Sequence, residues 1–265
     1  MDVISAILLG FIQGATEFIP VSSSGHLILV RDFLSISSAN DLAFDAVLQL
    51  ATTLAVAVYF RADLLRLLKS AVSYVRGIDV APEEKILLGA LLFGTVPAVI
   101  AGLLLEGWME TVFRSTALVS VTLLLGALLM YVAERVARQT EVLSVKSGIA
   151  IGFFQVLALV PGMSRSGSTI AGGLFMGLTR ATATRFSFLL SFPILLGSGV
   201  KKFIDLISLG AMTTGGLELF IGCVTAFFVG LGAIHFLISY LQRRTLSVFI
   251  WYRVVLAAVL LVSFW

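Results

Sequence analysis

The stretch from Gln13 to His26, QGATEFIPVSSSGH, places an acid, a run of serines and an imidazole between two strongly apolar segments. The whole chain is 59% hydrophobic and 12% charged, with a mean hydropathy of +1.07, which is typical of a polytopic membrane protein. Ionisable groups at bilayer depth are costly, so they mark functional sites by default. This stretch is therefore the first candidate for a functional site.

The second half of the chain contains a related stretch, GFFQVLALVPGMSRSGST, from Gly152 to Thr169. Residues of the first half recur in it at one fixed offset: Gly10, Phe11, Gln13, Ser22, Ser24 and Gly25 correspond to Gly152, Phe153, Gln155, Ser164, Ser166 and Gly167. A weaker match relates Gly94, Val96, Ala98 and Gly102 to Gly222, Val224, Ala226 and Gly230. These matches predict an internal repeat.

The first apolar segment is interrupted by Glu17 and Pro20, so it is too short for the roughly 20 residues of a spanning helix. A second short apolar piece, Leu27 to Leu34, follows the serine run and leads into the polar stretch Ser35 to Asp41. A half-helix, a polar turn and another half-helix predict a re-entrant hairpin. Such a turn is tolerated at membrane depth only where it is buried in protein or lines a wet cavity.

The remaining apolar segments predict three crossings in each half of the chain. In the first half they are Phe44–Phe60, Ile86–Leu105 and Ala117–Ala133, with a polar loop from Arg61 to Lys85. In the second half, Val145–Val160 and Ile170–Leu178 flank the turn of a second hairpin, and the crossings are Phe186–Ile204, Leu217–Leu241 and Leu246–Phe264.

The predicted fold is therefore an all-α polytopic membrane protein with one integral membrane domain. It has two repeats, approximately residues 1–135 and 145–265, each a re-entrant helical hairpin plus three transmembrane helices. Three crossings per half place the second hairpin on the opposite side of the membrane, which is an inverted topology. We expect the two polar turns to meet near the middle of the membrane.

The distribution of lysine and arginine predicts the orientation, because cytoplasmic loops carry an excess of these residues. One side holds twelve: Arg61, Arg66, Lys69, Arg76, Lys85, Arg135, Arg138, Lys146, Arg180, Arg185, Arg243 and Arg244. The other side holds four: Arg31, Arg114, Lys201 and Lys202. We expect the first side to be cytoplasmic, with both termini and the mouth of the first hairpin outside.

Gln13 and Glu17 are four residues apart and share one face of the first half-helix. A carboxylate beside an amide oxygen supplies the hard ligands that hold Mg²⁺ or Ca²⁺ together with substrate phosphates. We therefore predict a divalent cation on Glu17 and Gln13. The alternative is a protonated Glu17 that caps the adjacent serine turn.

Ser22, Ser23, Ser24 and Gly25 supply hydroxyl groups and backbone amides at the start of a half-helix, which suits an anion. His26 follows them, and a serine within reach of an imidazole is the general form of an activated nucleophile. The alternative is that the serines only cap the half-helix and His26 is a structural donor.

In the second hairpin, Arg165 lies between Ser164 and Ser166, with Thr169 in the half-helix that follows. Arginine stays protonated at depth and its planar fork matches the oxygens of a phosphate, so this cluster predicts a phosphate site. Alternatively, Arg165 and Glu17 form a structural ion pair between the repeats.

Composition excludes other classes of site. Cys223 is the single cysteine, which removes a disulfide framework or a cysteine-based metal site. A net charge of +3 is too small to predict a nucleic-acid partner. The membrane class makes membrane lipids the expected partners. The sequence leaves the oligomeric state open, a homodimer included.

QGATEFIPVSSSGH and PGMSRSGST resemble the two signature motifs of the bacterial undecaprenyl-diphosphate phosphatases of the bacitracin-resistance type. The resemblance implies hydrolysis of a C55 isoprenyl diphosphate, which recycles the lipid carrier of cell-wall synthesis in the bacterial plasma membrane. It also implies a divalent cation, an outward-facing site and bacitracin resistance. The family's functional positions fall on Gln13, Glu17, Ser23, His26, Ser164, Arg165 and Thr169. Gln13 is a departure, because many members carry a second glutamate there.

The expected chemistry is phosphoryl transfer, in which positioning and charge neutralisation do most of the catalysis. The predicted catalytic residues are Glu17, Ser23, His26 and Arg165, with Ser23 as the nucleophile and His26 as its base. Alternatively, His26 activates water directly. The other class of function is a lipid transporter, because inverted repeats with broken helices are also the plan of secondary carriers. Ser22, Ser24, Gly25, Ser164, Ser166 and Thr169 are predicted to bind the phosphates.

Overall fold

A computed structural model describes residues 2–36, 41–111, 116–208 and 216–263, and within these ranges the secondary structure consists of helices, with no strand. The helices are α1 (Val3–Phe18), α2 (Ser23–Leu34), α3 (Asp41–Tyr59), α4 (Arg61–Val75), α5 (Pro82–Thr111), α6 (Thr116–Val136), α7 (Val145–Val156), α8 (Arg165–Phe175), α9 (Arg180–Ser208), α10 (Gly216–Leu241) and α11 (Ser247–Ser263). A short 3-10 helix, Leu157–Leu159, continues α7. Residues 37–40 of the predicted polar stretch, Arg114 and Phe264 lie outside the described ranges.

The predicted class of fold, an all-α polytopic membrane protein, is confirmed. Pro82–Leu105, Ala117–Val136, Arg180–Ile204 and Gly216–Leu241 are long and apolar enough to cross a membrane. The helices α1, α7 and α11 are apolar but shorter. The predicted hairpins correspond to α1 with α2 and α7 with α8, because their short helices are joined by tight turns.

The predicted polar loop from Arg61 to Lys85 is wrong, because residues 61–75 form α4. This helix meets α3 at an angle of 79°. Leucines at helical spacing explain it: Leu67 faces inward and is buried, while Leu65 and Leu68 are exposed among the basic residues. Counting basic residues predicted a loop, whereas the apolar period of the same segment is that of an amphipathic helix.

The helix contacts of one half are repeated in the other. Helix α1 packs along α10, and its counterpart α7 packs along α5, the counterpart of α10. Helices α3 and α9 pack on each other, and so do α6 and α11. Equivalent contacts between counterpart helices are what a two-fold repeat produces. The boundaries of the two repeats stay a prediction.

Glycines bring the hairpin helices close to their neighbours at equivalent places. A Cβ on Gly10 of α1 would overlap the carbonyl of Gly222 in α10. A Cβ on Gly152 of α7 would overlap the carbonyl of Gly94 in α5. The repeat detected in the sequence is therefore partly a repeat of these close backbone crossings, which only glycine permits.

We expect Gly152→Ala to lower the thermal stability of the protein in detergent, because the added methyl group collides with backbone that cannot rotate away. Overpacking of this kind costs about 1–3 kcal/mol. The matched control is Gly232→Ala in α10, where a Cβ meets no described atom within 4 Å. That control should be neutral or slightly stabilising, since alanine is the better helix residue. Equal melting temperatures for both variants would contradict the tight crossing.

Candidate active site

The two hairpin turns have the same local structure. Ser22 precedes α2 and Ser164 precedes α8, and each accepts a hydrogen bond from the amide three residues on, Gly25 N at 3.3 Å and Gly167 N at 3.2 Å. Both serines have a positive φ, 76° and 70°, which strains a residue other than glycine. The serines thus cap both half-helices, which the alternative drawn from the sequence expected for α2 only. Phosphate binding by these residues stays a prediction.

The turns are in contact with each other, as the sequence predicted. The amide of Gly162 in the second turn donates to Ser22 Oγ of the first turn at 3.1 Å. Thr122 of α6 donates to the carbonyl of Pro161 at 2.6 Å and holds the second turn from the side. Two hairpins that begin far apart in the chain therefore form one site.

Glu17 lies at the centre of this site, where four side chains donate to its carboxylate. Oε2 accepts from Gln13 Nε2 at 2.8 Å and from Ser23 Oγ at 2.7 Å. Oε1 accepts from Arg165 Nη2 at 2.7 Å and from Gln49 Nε2 at 3.4 Å. Only 2% of the Glu17 side chain is exposed. The carboxylate thereby joins α1, α2, α3 and α8.

Arg165 forms the ion pair with Glu17 that the sequence left as the alternative, but the pair does not occupy the whole guanidinium. Nη2 contacts Glu17, while the buried Nη1 has no hydrogen-bond partner among the described residues. One nitrogen therefore ties the repeats together, and another is available to an anion.

His26 makes its hydrogen bonds away from Ser23. Its Nδ1 is 2.7 Å from the Ser22 carbonyl oxygen, and its Nε2 is 2.7 Å from the Tyr252 hydroxyl of α11. Because a carbonyl only accepts, Nδ1 carries a proton, and in the neutral ring Nε2 accepts from Tyr252. The Ser23 hydroxyl donates to Glu17 instead. The role of His26 as base for Ser23 stays a prediction.

The other predicted phosphate ligands differ in their hydrogen-bond partners. Ser24 and Ser166 lie 3.5 and 3.3 Å from the hydroxyls of Ser22 and Ser164. Thr169 is fully buried and bonds to the Arg165 carbonyl and to Ser187 of α9. Thr169 therefore holds α8 in place from behind the site.

Arg253 of α11 was not identified from the sequence, although it is an arginine within an apolar helix. Its fully buried guanidinium donates to carbonyl oxygens of both turns, Pro20 at 3.4 Å, Gly162 at 2.6 Å and Met163 at 3.1 Å. It also donates to Thr122 at 3.3 Å and Leu123 at 3.1 Å in α6. The same reasoning that singled out Glu17, an ionisable group at depth, would have found it.

A cavity of about 560 Å³ opens onto this cluster. Glu17, Ser23, Gln155 and Arg165 line its polar part. Side chains of α5, α9 and the 3-10 helix form an apolar wall: Ala98, Val99, Leu103, Ala158, Leu159 and Ile194. Asp45, Lys201 and Lys202 also line it. The cavity therefore combines a polar cluster that includes an arginine with an apolar surface.

The residues present fit a divalent cation that arrives with phosphate ligands. Within the described ranges, three or more His, Cys, Asp or Glu residues do not cluster anywhere. Glu17 offers one carboxylate and Gln13 an amide oxygen, although in this structure Gln13 turns its Nε2 to Glu17, and Mg²⁺ is commonly held by one or two carboxylates plus substrate phosphates. Glu17 and Gln13 by themselves do not supply enough ligands to surround a divalent cation.

The fold and site define a polytopic helical membrane protein whose two re-entrant hairpins build a buried acid, serine and arginine cluster beside an apolar cavity. The profile of the family described as "Bacitracin resistance protein BacA" matches residues 6–259. This chain belongs to that family.

Three relatives that align with nearly the whole chain share one name, undecaprenyl-diphosphatase. The protein of Micrococcus luteus is 40% identical, with 98% of this chain and 96% of that protein aligned. The protein of Rubrobacter xylanophilus is 42% identical, with 97% of each aligned. The protein of Moorella thermoacetica is 40% identical, with 100% of this chain and 99% of that protein aligned.

We expect Arg253→Lys to lower both the melting temperature and the turnover of the protein. A compact ammonium cannot replace a planar fork that serves five carbonyl oxygens, and each buried acceptor left unpaired costs about 1–3 kcal/mol. Arg244→Lys, at an exposed arginine beyond α10, is the control and should change neither quantity. A parental melting temperature in Arg253→Lys would mean that the turns do not depend on this side chain.

Proposed function

We propose that this chain hydrolyses undecaprenyl diphosphate to undecaprenyl phosphate and inorganic phosphate, which returns the lipid carrier to cell-wall synthesis. The observation that carries the proposal is the cluster of Glu17, Ser23 and Arg165 at the polar part of a cavity with an apolar wall. The names of the relatives agree with it. A transporter would need no serine held against a buried carboxylate, and that alternative is not favoured.

In the proposed complex, the diphosphate enters the polar part of the cavity and the isoprenyl chain lies along the apolar wall. Arg165 stabilises the terminal phosphoryl group through the nitrogen that Glu17 leaves unused. The N-termini of α2 and α8 both begin in the turns, and their positive dipole ends favour the negative charge of the phosphates. The reaction is then catalysed mainly by positioning and charge neutralisation.

Ser23 is the proposed nucleophile. Its Oγ forms a bond to the terminal phosphorus while the bond from that phosphorus to the bridging oxygen breaks, and undecaprenyl phosphate leaves. The serine proton passes to Glu17, to which the hydroxyl already donates, and not to His26, the base expected from the sequence. Water then cleaves the phosphoserine and releases inorganic phosphate. In the alternative, His26 activates water directly, which requires its Nε2 to exchange Tyr252 for that water.

A divalent cation, Mg²⁺ or Ca²⁺, is the proposed cofactor, held by Glu17 and Gln13 together with the phosphates. When bound, it would neutralise charge on the diphosphate. Gln13, whose Nε2 donates to Glu17 in this structure, would turn its amide oxygen to the cation, and the hydrogen bond from Ser23 to Glu17 would remain.

The acid-quench experiment separates the serine route from direct attack by water. If Ser23 attacks, enzyme mixed with terminally labelled lipid diphosphate and quenched in acid should carry labelled phosphoserine, and Ser23→Ala should lose both label and turnover. If water attacks, no label appears, and Ser23→Ala loses only on the order of 10- to 100-fold in rate. Phosphate release by purified parent protein tests the hydrolase itself, since a carrier releases none.

The cation is tested by its removal and by two variants. Phosphate release should stop in excess chelator and return with Mg²⁺ or Ca²⁺. Glu17→Gln should lower the rate and weaken the response to the cation. Gln13→Glu puts two carboxylates side by side, so it should stay active and need less cation for half-maximal rate. Full activity in chelator would contradict the role of the metal.

The proposed orientation has the twelve basic residues in the cytoplasm and the site and termini outside. In support, residues assigned to the cytoplasmic side contact each other across the repeats, as Arg185 does with Asp63 at 2.5 Å. In a Cys223→Ala background, an impermeant thiol reagent applied outside intact cells should label Ser35→Cys and not Ala81→Cys. Labelling of both would contradict the inverted topology. The homodimer stays a prediction.

A further inference from the structure

Gln155 is a buried amide in the wall of the cavity with no hydrogen-bond partner among the described residues. Its side chain lies in the last turn of α7 and is only 2% exposed. Neither Oε1 nor Nε2 makes a hydrogen bond to a described atom. The mechanism proposed above makes no use of it.

The repeat explains why this amide lacks a partner. Gln155 is the counterpart of Gln13, which donates to Glu17 one turn further along α1. At the equivalent place one turn beyond Gln155, the chain has Leu159, which offers no polar atom. The second hairpin therefore keeps the amide and lacks the acid. Burial of an unpaired amide costs free energy, so a polar ligand is expected to satisfy it.

A second unpaired donor belongs to the same cavity. Arg165 Nη1 is also buried without a described partner, and both residues line the cavity. Two unpaired donors in the lining of one cavity suit a group that only accepts hydrogen bonds, such as an ionised phosphate. The acceptor of the amide, Oε1, suits a water molecule, and hydrolysis needs water in the same space.

We propose that Gln155 is a substrate-binding residue, whose Nε2 donates to an oxygen of the lipid diphosphate beside Arg165 Nη1 while its Oε1 accepts from water. The second hairpin then supplies a phosphate subsite separate from the Glu17 and Ser23 side. This inference rests on the proposed hydrolysis of a lipid diphosphate and not on the cation or the nucleophile.

The test compares Gln155→Leu with the parent protein in two measurements. Leucine keeps the approximate volume and removes the unpaired amide, so the melting temperature without ligand should be unchanged or higher. The KM for undecaprenyl diphosphate should rise about 10- to 100-fold, the range expected for a lost hydrogen bond to a charged group, with a smaller change in kcat. Stabilisation by sodium phosphate, measured against sodium chloride at matched ionic strength, should be lost.

Ser168→Ala is the matched control, because Ser168 Oγ is also buried without a described partner but does not line the cavity. It should retain the parental KM and the stabilisation by phosphate. Gln155→Glu is the second variant, in which the shape is kept and a negative charge should repel the diphosphate, so its KM should rise further than that of Gln155→Leu.

A Gln155→Leu protein with parental KM and parental stabilisation by phosphate would overturn the proposal. So would a parental KM in Gln155→Glu, if the leucine variant failed to fold. These results are distinct from failure of the proposed function, in which the parent protein itself would release no phosphate from the lipid.

Discussion

The rest of the site depends on the hydrogen bonds that the guanidinium of Arg253 donates. It is fully buried, its described hydrogen bonds all go to carbonyl oxygens, and these belong to both hairpin turns and to α6. The turns interrupt helices inside the protein, so their carbonyls have no intrahelical partners. One planar side chain with five donors satisfies several of them at once. Gly126 of α6 leaves the space for it, because a Cβ there would overlap the guanidinium.

Around Arg253, the two repeats have the same backbone conformation at their turns and the same kind of close helix crossing. Ser22 and Ser164 cap their half-helices with the same strained conformation, and glycine crossings bring each hairpin against a helix of the other repeat. Strained residues persist where the surrounding structure determines them strongly. The shared scaffold is thus a pair of matched hairpins whose turns touch.

The chemistry, by contrast, is divided between the repeats. At equivalent positions, Glu17 corresponds to Leu159, Ser23 to Arg165 and His26 to Ser168. The first hairpin supplies the carboxylate of Glu17 and the hydroxyl group of Ser23, and the second supplies the guanidinium of Arg165. Because Glu17 and Arg165 pair across the contact at 2.7 Å, neither charge is buried alone. A single site therefore needs both halves, although each half has the same fold.

The sequence by itself determined the membrane class, the two hairpins and the repeat, and it singled out the polar residues of the two turns, because these depend on local composition and on spacing along the chain. It placed Gln13 beside Glu17 on the same helix face, since residues four apart in a helix are neighbours. Its error at α4 arose from counting charge where the apolar period was the better guide. Gln49, Tyr252 and Arg253 were missed, although polar residues inside apolar helices were the available signal. Only the tertiary structure decided which side chains form hydrogen bonds with each other. It showed that Ser23 donates to Glu17 and that His26 contacts Tyr252. It also showed that Arg165 Nη1 and the amide of Gln155 have no described partner. Those choices depend on side chains that are far apart in the chain and meet only when the helices pack.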